Sequence, residues 1–143
     1  MQQCSMTAEE LEHRLNAEFP EAFNASSGLH IEDLWHGGCR LRQAFQRQSL
    51  RPGGTISGPT MMRLTDAAMY VAVLGAVGWV PLAVTTHLSI HFLRKPGACD
   101  LIAEARLLKL GKRLAMGDIA IRSDGNEEMV AHATSTYSIP VHR

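Results

Sequence analysis

The spacing of hydrophobic residues changes period along the chain, and each change marks an element. In TAEELEHRL, Leu11 and Leu15 share one helical face and Thr7 with Glu10 three residues on forms a capping box, so a short helix is expected, ended by Phe19-Pro20. From Leu29 the period falls towards two. Leu29, Ile31 and Trp35 predict one strand and Cys39, Leu41 and Ala44 the next, with His36-Gly37-Gly38 as the turn between them. Gln46 to Gly54 is polar, ends in RPGG and reads as a loop. The stretch Gly53 to Val80 is apolar on every side in its second half, which predicts a helix wrapped by other structure. After Pro81 the period is two again. Leu82 to Leu93 alternates, with Val84, Thr86, Leu88, Ile90 and Phe92 on one face and Thr85, His87, Ser89, His91 and Leu93 on the other. Leu101 to Leu110 and Arg113 to Arg122 follow, joined at Gly111-Lys112, then the turn Ser123 to Asn126 and a last strand from Met129 to Ile139. Four strands in succession predict a strongly twisted antiparallel sheet, and with the helices an α+β fold.

Composition narrows the partners. A chain of 143 residues has room for one domain with a sizeable core, and zero formal charge with a pI near 7.1 points to neither nucleic acid nor an anionic membrane surface. Cys4, Cys39 and Cys99 are odd in number and scattered, which suits free thiols in a reducing, cytoplasmic setting and argues against a cysteine-ligated metal. No basic-then-apolar signal segment opens the sequence. The apolar run Ala67 to Val80 stops at Pro81 and is short for a bilayer, so a buried helix is expected.

Two charged residues, Arg63 and Asp66, interrupt the central helix near its start. A carboxylate inside an otherwise apolar helix is costly to keep ionised, which makes Asp66 the first candidate for chemistry; the plain alternative is a structural acid paired with Arg63 three residues earlier. Ser57 is a good N-cap, Gly58 allows close approach to the backbone, and Pro59 suits the first turn. Free N–H groups there could hold an oxyanion, or could simply mark a capped helix. Eight residues of helix separate Gly58 from Asp66, roughly 12 Å. One substrate atom cannot reach both in a single chain, so a shared site requires the same helix of a two-fold partner, and hence a homodimer.

The order hairpin, long buried helix with an early acid, and successive long strands resembles the hotdog fold. Within it GGTISGPTMMRLTDAAMY resembles the active-site segment of PaaI-like acyl-CoA thioesterases, which usually carry HGG and then L-x-D; VTTHLSIHFLRKP and MVAHATSTYSIP resemble their following and last strands. The resemblance implies a single hotdog domain over residues 1–143, with 1–28 as an N-terminal helical arm and 29–143 as the core. It implies hydrolysis of an acyl-coenzyme A at dimer-interface sites, no cofactor beyond coenzyme A in the substrate, no metal, and pairing of dimers into a tetramer. It places Asp66 on the catalytic acid, as general base or nucleophile, Gly58 on the oxyanion donor, and Thr85 on the hydroxyl that helps hold water. Arg51 falls near a carbonyl-binding side chain and Arg94 near a basic residue that could meet coenzyme A phosphates. Apart from the resemblance, Met62, with Met61, Met69 and Tyr70, could line an acyl pocket, and core packing explains these residues equally well. Ser57-Gly58-Pro59 departs from HGG: the histidine is absent and Pro59 offers no N–H. His36-Gly37-Gly38 spells the triplet, but Phe45 stands where the acid would be, so it reads as a turn. The alternatives are a non-catalytic acyl-CoA-binding module and a 3-hydroxyacyl-thioester dehydratase, the latter disfavoured because it needs a histidine near Ser57. His87 and His91 are four strand residues apart, roughly 13 Å, too far to share a metal. Lys95, Lys109, Lys112 and Arg113 complete the candidate phosphate contacts.

Overall fold

The computed structural model describes residues 4–141. Helix α1 (Ala8–Glu18) starts at the expected capping box: Thr7 accepts from Glu10 N–H and Glu10 accepts from Thr7 N–H, each at 3.1 Å. Its Leu11 and Leu15 are fully buried. Strands β1 (Leu29–Trp35) and β2 (Gly38–Gln43) form the first hairpin, with Trp35 opposite Gly38 and Gly37 at φ 97° in the turn. A bulge at Glu32 shifts the inward positions, so Leu34 packs against α2 and Trp35 lies largely exposed, contrary to strict alternation. In β2 the inward residues are Cys39, Leu41 and Gln43; Ala44 lies past the strand end.

The expected loop from Gln46 is partly ordered. A 3-10 turn (Arg47–Ser49) leads into a miniature hairpin of β3 (Leu50–Arg51) and β4 (Thr55–Ile56), turned at Gly53 and Gly54, both at positive φ. Two paired residues per strand leave too short a pattern for periodicity to register. Helix α2 (Gly58–Val77) follows, and every residue from Ala68 to Gly75 is buried. By length and composition α2 could cross a membrane, but 67% of that apolar window is enclosed by the rest of the protein.

Strands β5 (Val84–Phe92), β6 (Leu101–Leu110), β7 (Leu114–Ser123) and β8 (Met129–Ser138) complete a six-stranded antiparallel sheet in the order β1-β2-β6-β7-β8-β5, wrapped round α2 as in the hotdog fold. The short-turn succession holds for β6 to β8 only. β5 pairs with β8 rather than with its successor, so residues 93–100 carry the chain across the sheet to β6 beside β2. The β6–β7 turn takes three residues, Gly111 to Arg113, with Leu110 opposite Ala115. A bulge at Thr86 in β5 also alters the expected faces: Thr85 turns inward with Leu88 and Ile90, while His87, Ser89 and His91 are exposed.

Candidate active site

The start of α2 is fixed from three sides. Ser57 has extended backbone (φ −71°, ψ 153°), and its hydroxyl accepts from Thr60 N–H at 3.4 Å and shares a 2.9 Å hydrogen bond with Thr60 Oγ1. Ile56 N–H donates to Pro96 O and Ser57 N–H to Ser49 O, both at 2.9 Å. These bonds pin the helix mouth between the β3–β4 hairpin and the segment after β5. Gly58 is the first helical residue, so its N–H has no intrahelical acceptor, and none is found elsewhere among the described residues. A Cβ at this position would stand 3.3 Å from the Phe92 ring.

A cavity of about 700 Å³ opens at this helix mouth. Its walls are Arg51 and Gly53 from the small hairpin, Gly58, Pro59 and Met61 from α2, and Phe92, Arg94 and Lys95 from the end of β5 and just beyond. Its charged side chains are all cationic, so together with the helix N-terminus it favours a polarised carbonyl or an anion. Arg94 is partly committed already: Nη1 donates to Met129 O at 2.7 Å and Nη2 lies 3.1 Å from Glu128.

Asp66 lies on the same helix, roughly 12 Å along its axis by the helical rise, outside this cavity. Its half-buried carboxylate is held by neutral donors. Thr85 Oγ1 donates to Oδ1 at 2.5 Å and Tyr137 Oη to the same atom at 2.9 Å. Thr85 and Tyr137 are directly paired across β5 and β8, and the bulge at Thr86 is what turns Thr85 towards α2. Burial, then the nearby Asp66 charge, raises the Tyr137 phenol well above its ordinary value, so it stays protonated and donates. The structure does not pair Asp66 with Arg63. Arg63 is exposed and donates to Gln43 Oε1 at 3.1 Å.

Of the sequence candidates, Arg51, Gly58, Pro59 and Arg94 meet at the helix mouth with Ser57 as its cap, while Asp66 and Thr85 meet two turns away. Met62 is exposed on α2 and does not line the cavity; Met61, one residue and about 100° round the helix, does. Met69 is fully buried, and Tyr70 donates to Pro81 O from within the core. Lys112 and Arg113 border a separate cavity with Val80 and Pro140, apart from Arg94 and Lys95. Tyr137 and Phe92 escaped sequence reasoning. The signal for Tyr137 was its place on the inward face of the last strand with Ser135, yet its partner stands 71 residues away. Among the described residues no group of three or more His, Cys, Asp or Glu could hold a metal. Cys39 is fully buried, its thiol pushed up to about 12 by burial, and donates to Ala68 O, which makes it unreactive.

Comparison with known proteins identifies the family and the fold. The family model described as the thioesterase superfamily matches residues 53–130, which include the helix mouth, Asp66 and Thr85. A protein of Saccharolobus solfataricus named as an esterase is 32% identical over 112 residues, covering 78% of this chain and 73% of that one. A crystal structure described as a thioesterase from a Silicibacter species is 43% identical, with a TM-score of 0.86 and coverage of 96% of this chain and 94% of that one. The Escherichia coli PaaI protein of the phenylacetic acid degradation operon shares the fold, at 22% identity, a TM-score of 0.81 and 94% coverage of both chains.

Proposed function

The chain belongs to the thioesterase superfamily and is a thioester hydrolase, and from that premise we propose that it cleaves acyl-coenzyme A in a homodimer with shared active sites. The observation that carries this reading is the separation of two complementary half-sites on one helix. Among the described residues, the helix mouth offers a free N–H and three cations with no carboxylate in the cavity wall, and the two hydroxyls beside the carboxylate two turns on already donate to it. A two-fold partner with its own α2 antiparallel would bring each Gly58 opposite the other chain's Asp66.

In such a site the thioester carbonyl points at Gly58 N–H and the water lies on the Asp66 side. The water oxygen bonds to the carbonyl carbon while Asp66 takes a proton, and the resulting oxyanion rests on the helix N-terminus. The C–S bond then breaks and the proton passes to the departing thiolate, giving carboxylic acid and free coenzyme A. Direct attack by Asp66, with a transient anhydride opened by water, uses the same atoms. Thr85 has one proton and gives it to Asp66, so towards a water it acts as an acceptor, which suits it to hold the nucleophile. We assign Arg51, Lys95 and Arg94, the last already shared with Glu128, to the coenzyme A phosphates, and Met61 with Phe92 to the start of the acyl chain, because these side chains wall the cavity at the helix mouth. Three free cysteines are compatible with a reducing compartment, and we place the enzyme in the cytoplasm.

The test is thiol release from a panel of aliphatic and aromatic acyl-coenzyme A thioesters by the wild type and Asp66→Ala. The variant is expected to bind substrate normally and lose turnover by a factor of about a thousand or more. Wild-type turnover in the variant would remove Asp66 from the chemistry.

A further inference from the structure

The two hydroxyls that hold Asp66 both use the same carboxylate oxygen. Thr85 Oγ1 and Tyr137 Oη donate to Oδ1 at 2.5 and 2.9 Å, and the Tyr137 hydroxyl also approaches the Asp66 main-chain carbonyl at 3.2 Å. No donor to Oδ2 is found among the described residues. We propose that Tyr137 is a positioning residue which, with Thr85, reserves Oδ1 for anchoring and leaves Oδ2 as the oxygen that takes the water proton or attacks the carbonyl. The inference rests on the role given to Asp66 above and adds to it which oxygen reacts and what fixes its direction.

The geometry of the clamp is asymmetric and rigid. A carboxylate can turn about its terminal torsion almost freely, since that torsion is broad and two-fold. Here a turn that moved Oδ1 away would forfeit two charge-assisted hydrogen bonds at once. Tyr137 is 2% exposed and its ring packs tilted against that of Tyr70, at 6.0 Å and 33°, whose own hydroxyl is tied to Pro81 O at 2.9 Å. The phenol therefore cannot swing out to follow a rotating carboxylate. Its contact with the Asp66 backbone carbonyl adds a second point, so one hydroxyl spans the main chain and the side chain of the same residue.

Tyr70 provides an internal contrast. It is buried beside Tyr137, and it satisfies its hydroxyl on a backbone carbonyl, the ordinary solution for a core tyrosine. Tyr137 adds a charged acceptor to the backbone one: its hydroxyl lies 3.2 Å from the Asp66 carbonyl and, closer, 2.9 Å from the carboxylate of the one acid of α2. The cross-strand pairing of Thr85 with Tyr137 brings both donors to one point, and only the bulge at Thr86 gives Thr85 that direction. With Oδ1 holding both donors, Oδ2 is the oxygen left to meet a water or carbonyl that reaches the half-buried Asp66, its direction set before substrate arrives.

The experiment is a double-mutant cycle on acyl-coenzyme A hydrolysis by the full-length protein. Tyr137→Phe keeps the ring and removes only the hydroxyl, and is expected to lower kcat about 10- to 100-fold with KM nearly unchanged. In the Asp66→Ala background the same change should cost nothing further, because a residue acting through Asp66 has nothing left to act on. Thr85→Val should also lower kcat, and Thr85→Ser, which restores the hydroxyl, should recover most of the loss. Because Thr85 also holds the water, Thr85→Val should cost something further in the Asp66→Ala background, and the absence of a further loss is expected of Tyr137→Phe alone. Should Tyr137→Phe fold poorly, an unchanged kcat in Thr85→Val overturns the clamp. A Tyr137→Phe enzyme with wild-type kcat, or an equal loss in both backgrounds, overturns the proposal while leaving Asp66 as the acid. An Asp66→Ala enzyme that keeps its rate overturns the role of Asp66, and the clamp with it.

Discussion

At Gly58 the proposed mechanism asks a single N–H group to do chemical work, and its surroundings make that group testable in isolation. The residue is first in α2, where an N–H has no helical acceptor, and Ser57 before it is already extended as a proline requires of its predecessor. Gly58→Pro therefore deletes the donor at a helical position that tolerates proline, with the added ring atoms meeting the edge of Phe92. We expect kcat to fall by about 10²- to 10³-fold, the loss typical for one oxyanion donor, with a smaller change in KM. Steady-state kinetics alongside thermal unfolding will separate this from a folding defect. Ser57 stands where PaaI-like thioesterases carry histidine, and here its hydroxyl is committed to Thr60 as a cap. Its hydroxyl holds the helix mouth in place, and in the proposed mechanism the oxyanion contact is left to the backbone.

Among the elements, α2 and the strands facing it decide how precisely Asp66 is held. Gly117 on β7 gives α2 room: a Cβ there would stand 2.7 Å from Arg106 O and 2.9 Å from Met69 Sδ. The first of these neighbours is backbone in a paired strand and cannot withdraw cheaply, so Gly117→Ala should destabilise the protein by about 1–3 kcal/mol. At Gly75 the obstruction is the end of the Leu34 side chain at 2.7 Å, which can change rotamer, and Gly75→Ala should cost less. Chemical denaturation of the two variants side by side will show the order. The same elements show what could be read from the sequence. The capping box at Thr7, the buried α2 and the β1–β2 and β6–β7 hairpins were legible because each rests on neighbours a few residues apart. The bulges at Glu32 and Thr86 were not, since one extra residue inverts an alternation without leaving a mark in composition. Tyr137 was missed for a related reason. Its importance comes from pairing β8 with β5 across the β6–β7 hairpin, a long-range register that local periodicity does not contain.

For the whole molecule, the two edges of the sheet are finished differently, and in the proposed dimer β5 is the edge at which a second copy would dock. At the β1 edge, α1 is packed close by and Glu12 Oε1 accepts from Ile31 N–H at 2.6 Å beside the bulge, which blunts the strand. At the other edge, β5 pairs with β8 on one side only, with Val84 57% and Phe92 48% exposed along it. An open edge of nine residues is a template for its own two-fold copy, and β5 also carries Thr85 and Phe92, one residue from each half-site. Sharing can be tested by mixing chains. Asp66→Ala and Gly58→Pro homodimers should each be nearly inactive, since every site in them lacks the acid or the donor. A mixed dimer has one site with both defects and one with neither. Co-expression or co-refolding at equal amounts should therefore restore about a quarter of wild-type activity, half the dimers being mixed and each working at one of two sites. If each chain instead carried a complete site of its own, no combination of the two would regain any activity, because both chains in every dimer would remain defective.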